Sequence, residues 1–442
     1  MVRAVVILAL LTLADNVLTS ALPIALGPEP PQTPGFWNLT TTALILAVVS
    51  DLIGQPILTY TTYHYNFRHA ITLNILSITV AAAASLVLSF WRTDGIAWTF
   101  AIASAFKIIG GGSHATIFLT IIGIRDKTSG SLRDQLANIK LHSTCLIYTT
   151  GAVVVLSQTI AASAGPFLAA QSLVLPYIFS IICCSLAVFV VNFQVTAEDL
   201  TSGREWAGDA CTQPLLSPAL ASHDTSSAVP LGFIRTYSNR WQNKPSTIRN
   251  ALKLLGLVFL LAAIAKATRP LFITYIQHRV GITPSEASSL WLIRTVMSLV
   301  TFSTFLPTVV TLWSKNPLRL TGTLNLYIAK ISIVLLSFGA ILIGVARTRP
   351  VLVSGLIINT LGVATDLALL SFAADAVPDS IAGFFYMMIA SIESAGTLIG
   401  IGILYPLYQM FLDDNTPLGG IPYYVCGVCV HIASFMRIAN LK

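Results

Sequence analysis

The chain has 442 residues, of which 55% are hydrophobic and only 10% are charged, and its mean hydropathy is +0.78. A soluble domain has roughly 25% charged residues, and its apolar residues come in short periodic pieces, so this composition excludes an ordinary soluble protein. The net charge of +7 comes from Lys and Arg in the predicted loops and gives no reason to expect a nucleic-acid partner. We therefore expect an all-α protein that crosses the membrane many times.

Twelve apolar segments are each long enough to cross a hydrocarbon core of about 30 Å, which takes about 20 helical residues. These segments, called span 1 to span 12, lie at 4–27, 41–62, 69–91, 97–122, 138–163, 168–193, 251–276, 285–312, 320–346, 350–375, 381–410 and 419–437. The polar stretch after span 6 is rich in Ser, Pro and charge, which predicts a largely disordered linker. The chain therefore divides into an N-terminal half (1–193), a linker (194–250) and a C-terminal half (251–442).

The Lys and Arg residues lie mostly on one side of the predicted membrane. With the N-terminus inside, the inner segments hold sixteen of them and the outer segments hold six, and cytoplasmic loops are normally the enriched ones. Both termini and the linker are therefore predicted to be cytoplasmic. The sequon at Asn38 falls in the outer loop between span 1 and span 2 and is a candidate glycosylation site.

Two alternatives at the N-terminus stay open. The basic start and apolar core of span 1 also resemble a secretory signal, although its removal would leave an odd number of spans. The chain also starts almost directly at span 1, so a longer natural N-terminus is compatible with the pattern.

Few ionisable side chains occur within the spans, and such groups usually face a bundle interior or a watery cavity. They are Asp15 in span 1, Asp51 in span 2, Lys107 and His114 in span 4, Lys266 and Arg269 late in span 7, Arg294 in span 8, Lys330 in span 9, Asp366 in span 10 and Glu393 in span 11. Spans 3 and 6 have no interior charge. These charged residues are the candidates for contact with a solute or a proton.

Span 4 contains an unusual stretch, AFKIIGGGSH, at 105–114. On a continuous helix, Lys107 and His114 would lie on nearly the same face, roughly 10 Å apart along the axis. The glycines between them remove side-chain bulk, so a neighbouring helix or a solute can approach the backbone closely. We expect a helix with one polar stripe here.

The cysteines do not indicate disulfides, because five of the six lie in predicted spans and the sixth lies in the linker. Cys426 and Cys429 have the spacing of a metal-ligand pair, but they lie in an apolar span with no second pair nearby. Small buried side chains are the favoured interpretation. The sequence predicts no metal and no cofactor.

The arrangement of two sets of six spans around a cytoplasmic linker resembles the major facilitator superfamily, in particular fungal members of unassigned substrate. FKIIGGGSHATIFLTIIGIRDKTSGSLR (106–133) resembles their fourth span and following loop, with Lys107 at the basic position and Asp126 and Arg133 matching the loop. The stretches at 273–300 and 387–425 resemble the regions joining spans 7 and 8 and spans 11 and 12. The superfamily's charged signature between spans 2 and 3 is weakened, because His64 stands at its acidic position and Arg68 alone clearly remains.

In this superfamily spans 1, 4, 7 and 10 line a central cavity, whereas spans 3, 6, 9 and 12 are peripheral. Each cavity-lining span here holds a charge, and Lys330 in span 9 is the exception among the peripheral spans. The resemblance therefore implies a secondary-active transporter, and not an enzyme, that moves a small organic molecule by alternating access. No catalytic triad or phosphate-binding loop occurs at a usable spacing.

The roles of the charged residues follow from the resemblance. The predicted substrate or proton-coupling residues are Asp15, Lys107, His114, Arg269 and Asp366, and the predicted supporting or gating residues are Asp51, Arg68, Asp126, Arg133, Arg294 and Glu393. By family geometry Lys107 is the expected counter-ion of Asp15, so the charge state of Asp15 depends on what occupies the cavity. Arg269 or Arg294 is the expected partner of Asp366.

Structural alternatives remain for several of these residues. Asp15 and Lys107 are also compatible with a static helix lock, and His114 with a packing residue. Lys266 and Arg269 are also compatible with side chains that snorkel to the outer surface.

A cavity with both signs of charge suits an amphipathic organic molecule, and the expected function is proton-coupled export of a metabolite or toxin. Uptake of a carboxylated nutrient is an alternative, as is a membrane sensor without transport activity on the same scaffold. We expect a monomer in contact with lipids, in the plasma membrane or the vacuolar membrane. Its expected partners are the small-molecule substrate and protons.

Overall fold

The structure is a computed structural model that describes residues 2–25, 39–64, 67–91, 102–112, 115–122, 136–201, 246–268, 271–282, 284–314, 321–376, 379–411 and 417–435. Within these ranges the regular elements are helices, and each predicted span coincides with helix. The prediction of an all-α protein built from two sets of six spans is therefore confirmed.

The N-terminal half contains five continuous helices and one interrupted span. Span 1 is Val2–Ala25, span 2 is Leu39–His64, span 3 is Phe67–Trp91, span 5 is Leu136–Gln171 and span 6 is Leu175–Thr201. Span 4 has helix at 102–105, a 3₁₀ turn at Phe106–Ile109, and helix again at 115–122.

The expectation of a continuous helix through span 4 was wrong, and the glycines are the reason. Gly111 and Gly112 have φ angles of +70° and +67°, in the left-handed region. A residue with a Cβ meets steric resistance there, whereas glycine enters the region freely. The Gly-Gly-Gly stretch therefore interrupts span 4 within the membrane.

The C-terminal half has more interruptions. Span 7 consists of Ser246–Lys266 and Leu271–Val280; span 8 of Pro284–Val300, a π turn at Thr301–Phe305, and Leu306–Ser314; span 9 is Thr321–Val345. Span 10 consists of Arg349–Leu361, a 3₁₀ turn at Gly362–Ala364, and Thr365–Ala376, followed by span 11 at Asp379–Met410 and span 12 at Ile421–Phe435. The helices of spans 6 and 7 extend into the range predicted as linker, whereas residues 202–245 lie outside the described part, so their disorder stays a prediction.

Polar groups lie inside the bundle and large apolar groups lie outside. Among the described helices, six are long and apolar enough to cross a membrane by length and composition. Phe90, Phe167 and Met410 are more than 60% exposed, while Asp15 and Lys107 are buried. This distribution suits a lipid solvent, in which exposed apolar side chains cost nothing and charges require partners.

The two halves meet through span 2 against span 11 and through span 5 against span 8. A buried hydrogen-bond chain also crosses between them: Tyr148 Oη donates to Asn325 Oδ1 at 3.1 Å, and Asn325 Nδ2 donates to Ser371 Oγ at 2.8 Å. Apolar side chains from spans 5, 8, 9 and 10 surround Tyr148. Because buried hydrogen bonds are directional, these hydrogen bonds fix how the two halves are positioned against each other.

Span 2 and the break in span 4 lie so close together that a side chain does not fit between them. A Cβ added at Gly54 would lie 2.6 Å from Gly111 N and 2.7 Å from Gly111 Cα. Both of these contacts are with backbone, so neither can rotate away. We predict that Gly54→Ala lowers the free energy of unfolding by about 1–3 kcal/mol, as overpacked cores do.

Thermal unfolding of the purified protein in detergent measures this effect. Gly402→Ala on span 11 is the matched control, since a Cβ there would meet nothing within 4 Å. Equal stability of the two variants would contradict the close approach of spans 2 and 4.

Candidate functional site

An ion pair joins the first and fourth spans of the N-terminal half. Lys107 Nζ donates to Asp15 Oδ1, and the two side chains are 6% and 8% exposed. Asp51 on span 2 is buried too and interacts electrostatically with both. We call Asp15, Asp51 and Lys107 the N-terminal cluster. Charges at this depth are tolerated when they are paired inside the bundle.

The break in span 4 sets the position of Lys107. Lys107 lies in the 3₁₀ turn, and its carbonyl oxygen accepts hydrogen bonds from Gly110 N at 3.1 Å and from Gly111 N at 2.8 Å. A left-handed glycine in this position is a common way to end a helix. The end of a helix generally exposes backbone carbonyls, and a bilayer offers no water to satisfy them.

Two buried amide side chains satisfy these carbonyls. Gln55 Nε2 on span 2 donates to Gly111 O at 2.9 Å. Asn74 Nδ2 on span 3 donates to Gly110 O at 2.6 Å and to Gly112 O at 2.9 Å. Asn74 Oδ1 in turn accepts from Thr116 Oγ1 at 2.7 Å. The interruption is therefore supported by side chains of neighbouring spans and is a built feature of the fold.

A second cluster of charges lies in the C-terminal half. Lys266 Nζ on span 7 is 2.7 Å from Asp366 Oδ2 on span 10 and 3.1 Å from Glu393 Oε1 on span 11. We call these three residues the C-terminal cluster. The side chains of Lys266 and Asp366 are 23% and 22% exposed, so this cluster is more open than its N-terminal counterpart.

The two clusters occupy corresponding places in the two halves with the charges exchanged. In the N-terminal half the acid is on the first span and the lysine on the fourth; in the C-terminal half the lysine is on the first span and the acid on the fourth. The second acids come from span 2 and span 11, which pack against each other. Each cluster therefore links its own first and fourth spans to the interface between the halves.

The backbone is also irregular at the corresponding place in both halves. Asp366 lies two residues after the 3₁₀ turn at Gly362–Ala364, whereas Lys107 lies just before the glycine break. Gly362 lies so close to span 9 that an added Cβ would be 2.5 Å from Leu336 N. Interrupted spans at matching positions of two repeats are a good pointer to a transport site near the bilayer midplane.

A small cleft of about 40 Å³ adjoins the C-terminal cluster. Its lining includes Lys266, Phe272, Arg294, Asn359 and Tyr423, and so combines two cationic side chains with aromatic and amide groups. Arg294 therefore shares a cavity with Lys266.

Some expectations are corrected at the C-terminal cluster. Among the described residues Lys266 pairs with Asp366, a partner that was not expected, because Lys266 ends the first helix of span 7; the expected partner Arg269 lies outside the described part. Glu393 binds Lys266 directly, which is compatible with the supporting role predicted for it. The alternative in which Lys266 snorkels to the outer surface is wrong as well, since its ammonium is held by two carboxylates.

Other predicted residues lie outside the described part of the chain. These are His114, Arg269, Asp126, Arg133 and the sequon residue Asn38. Arg68 lies in the first turn of span 3, but its side chain is not among those described. The four cysteines described, Cys183, Cys184, Cys426 and Cys429, are free thiols.

The sequence analysis missed Gln55, Asn74 and Gly362 because it considered ionisable side chains in the spans and passed over neutral amides. An available signal was the presence of buried Gln and Asn in the spans next to the glycine triplet, since freed backbone carbonyls need donors. A second signal was that a charged residue and a glycine lie four residues apart in both span 4 and span 10. The two pairs are Lys107 with Gly111, and Gly362 with Asp366.

Comparison of folds identifies similar solved structures. No family model and no curated protein matches the sequence. The human organic anion transporter MFSD10 is similar in structure, with a TM-score of 0.65 and 15% identity over 100% of this chain and 99% of that chain. A bacterial homologue of the iron transporter ferroportin in its outward-facing state has a TM-score of 0.67 and 12% identity over 99% and 98% of the two chains. The proton:xylose symporter XylE, of the major facilitator superfamily, has a TM-score of 0.64 and 12% identity over 100% and 95%.

Removing the lysine of the N-terminal cluster tests whether the cluster is a buried ion pair. Lys107→Met leaves Asp15 without its ammonium partner, so we predict a loss of about 3–5 kcal/mol in the free energy of unfolding. The double variant Asp15→Asn with Lys107→Met removes both charges and should recover part of that loss, which thermal unfolding measures.

Lys330→Met, a half-buried position on span 9, is the matched control and should change stability by less than about 1 kcal/mol. A double variant no more stable than Lys107→Met would show that the two charges do not interact.

Proposed function

We propose that this chain, which has the major facilitator fold, is a secondary transporter that moves a small organic molecule by alternating access and is driven by protons. The observation that most supports this is the pair of ion clusters on spans 1 and 4 and on spans 7 and 10. Buried ion pairs are poor devices for stability alone, because desolvation offsets most of their attraction. Their presence at matching places, beside interrupted backbone, favours a working site.

The two clusters differ in exposure, which supports a division of labour. The Asp15 and Lys107 side chains are sealed, whereas Lys266 and Asp366 are about one-fifth exposed beside a cleft. A solute needs an accessible partner, while a proton can reach a closed site through small rearrangements. We therefore assign solute contact to the C-terminal cluster and proton coupling to the N-terminal cluster.

The cleft favours an amphipathic solute with a negative group. Lys266 and Arg294 offer two cationic side chains, and Phe272 and Tyr423 offer aromatic surface. A carboxylate on the solute would compete with Asp366 and Glu393 for the Lys266 ammonium, so binding would loosen the link between spans 7, 10 and 11. The fold itself does not select a substrate, because similar structures are described as an organic anion transporter, a bacterial homologue of an iron transporter, a xylose symporter and a nucleoside transporter.

The proposed direction is export of a metabolite or toxin. With the N-terminus cytoplasmic, the Tyr148, Asn325 and Ser371 chain belongs to the inner parts of spans 5, 9 and 10, so the halves are closed toward the cytoplasm. Uptake of a carboxylated nutrient is the alternative that the two cations of the cleft favour.

We further propose a monomer in the plasma or vacuolar membrane with both termini cytoplasmic, because the Lys and Arg residues are concentrated on that side.

Flux into vesicles tests the transport proposal. The purified chain is reconstituted with an imposed pH gradient, and uptake of a panel of labelled organic anions is measured with and without a protonophore. We predict at least one compound whose accumulation follows the gradient and collapses when the protonophore is added.

Lys266→Gln should reduce that accumulation at least about tenfold, since losing a desolvated charge partner costs well above 1.4 kcal/mol. Lys330→Gln makes the same change of charge on span 9 and should retain flux. A compound that stabilises the protein against heat yet shows no flux in any gradient would support the sensor instead.

A further inference from the structure

Asp51 has a carboxylate that the ion pair of the N-terminal cluster does not neutralise. The cluster has two carboxylates and one ammonium, and Lys107 Nζ donates to Asp15. With both acids ionised, the described residues of this sealed site would hold a net charge of about −1, which is costly in a medium of low dielectric. The site is balanced when one positive charge joins it.

Two unsatisfied oxygen atoms mark where that charge would go. Asp51 Oδ1 and Gln55 Oε1 are both buried and have no hydrogen-bond partner within the described part of the chain. Asp51 and Gln55 are four residues apart on span 2, so they lie on one face of the helix, one turn apart. That face meets the break in span 4, since Gln55 donates to Gly111 O and a Cβ at Gly112 would overlap the Asp51 carboxylate.

The surroundings of Asp51 favour a proton over a metal ion. A metal such as Ca²⁺ takes 6–8 oxygen ligands, but Gly110 O, Gly111 O and Gly112 O already accept hydrogen bonds from Asn74 and Gln55. A proton requires only one acceptor, and a protonated carboxyl group is a hydrogen-bond donor. A donor is what this site lacks, since it has two unsatisfied acceptors.

Neighbouring elements supply the other charges that act on Asp51. Span 1 contributes Asp15 and span 4 contributes Lys107, while span 6 places Cys184 beside those two residues. The groups that span 3 turns toward the break, Asn74 and Ser77, are neutral. Span 11 packs against span 2, and its acid Glu393 is paired with Lys266.

We propose that Asp51, and not Asp15, takes up and releases the coupling proton, as a carboxyl group held against the broken backbone of span 4. Its role in coupling rests on the proposed transport function. When Asp51 loses its proton, it competes with Asp15 for Lys107, which changes the link between spans 1, 2 and 4. Because span 2 packs against span 11 in the other half, this change of charge reaches the interface between the halves.

Infrared difference spectroscopy tests proton binding at Asp51 without any substrate. Purified protein is stepped between about pH 6 and about pH 9, a range in which exposed carboxylates stay ionised, and the carbonyl-stretch band of a protonated carboxylic acid is recorded. We expect this band to appear at acidic pH in the wild type and in Glu393→Gln, the matched removal of a buried acid on span 11. In Asp51→Asn we expect the pH-dependent amplitude of this band to fall by at least about half relative to the wild type. Thermal unfolding checks that Asp51→Asn, which keeps the shape of the side chain, is folded.

The outcomes separate this inference from the proposed function. The assignment of Asp51 is overturned if the band is undiminished in Asp51→Asn, or if it is lost in Asp15→Asn instead. Either result leaves the proposal of proton-driven transport standing. Wild-type flux that ignores the pH gradient contradicts the proposed coupling, whereas the band still decides whether Asp51 holds the proton. With a transported compound from the vesicle panel, Asp51→Asn should exchange it at equal pH within about twofold of wild type and show no gradient-driven accumulation.

Discussion

Neutralisation of charge in the membrane interior is the constraint on which the rest of the structure depends. A chain with so few charges places acids and lysines in the middle of its spans, where lipid cannot solvate them. The bundle answers with two clusters, each built around one lysine, that join the first and fourth spans of each half. Each cluster adds a second acid from span 2 or span 11, the pair of spans that contact each other between the halves. Any change of charge in a cluster therefore acts on the helices that move in the alternating access that we propose.

Interrupted helices are what position these charges. In span 4 the left-handed glycines end the helix beside Lys107, and Gln55 and Asn74 satisfy the carbonyls that the ending exposes. In span 10 a shorter 3₁₀ turn precedes Asp366. Backbone irregularity at membrane depth survives where protein groups replace the missing hydrogen bonds. The glycine triplet is thus explained by the lysine beside it and by the two amides that support it.

Span positions could be predicted from the sequence because an apolar stretch of about 20 residues is a strong signal that needs no tertiary information. The pairing of Asp15 with Lys107 was inferred through the family resemblance, which places spans 1 and 4 together. The partner of Asp366 was not predicted, because Lys266 and Arg269 lie within one turn and sequence cannot tell which of them faces span 10. The break in span 4 was missed because a glycine is compatible with a helix or a break, and the choice depends on donors from spans 2 and 3. Nothing in the structure explains Lys330, a half-buried lysine in span 9.

The central claim is that the charge state of the buried clusters is coupled to the relative position of the two halves. Leu173, between spans 5 and 6, and Arg347, between spans 9 and 10, are exposed residues of opposite halves on the same side of the bundle. Spin labels at these two positions, in a background without native cysteines, report the distance between the halves by double electron–electron resonance in lipid vesicles. The account predicts two distance populations whose ratio shifts between acidic and alkaline pH. A single distance that does not respond to pH would contradict it.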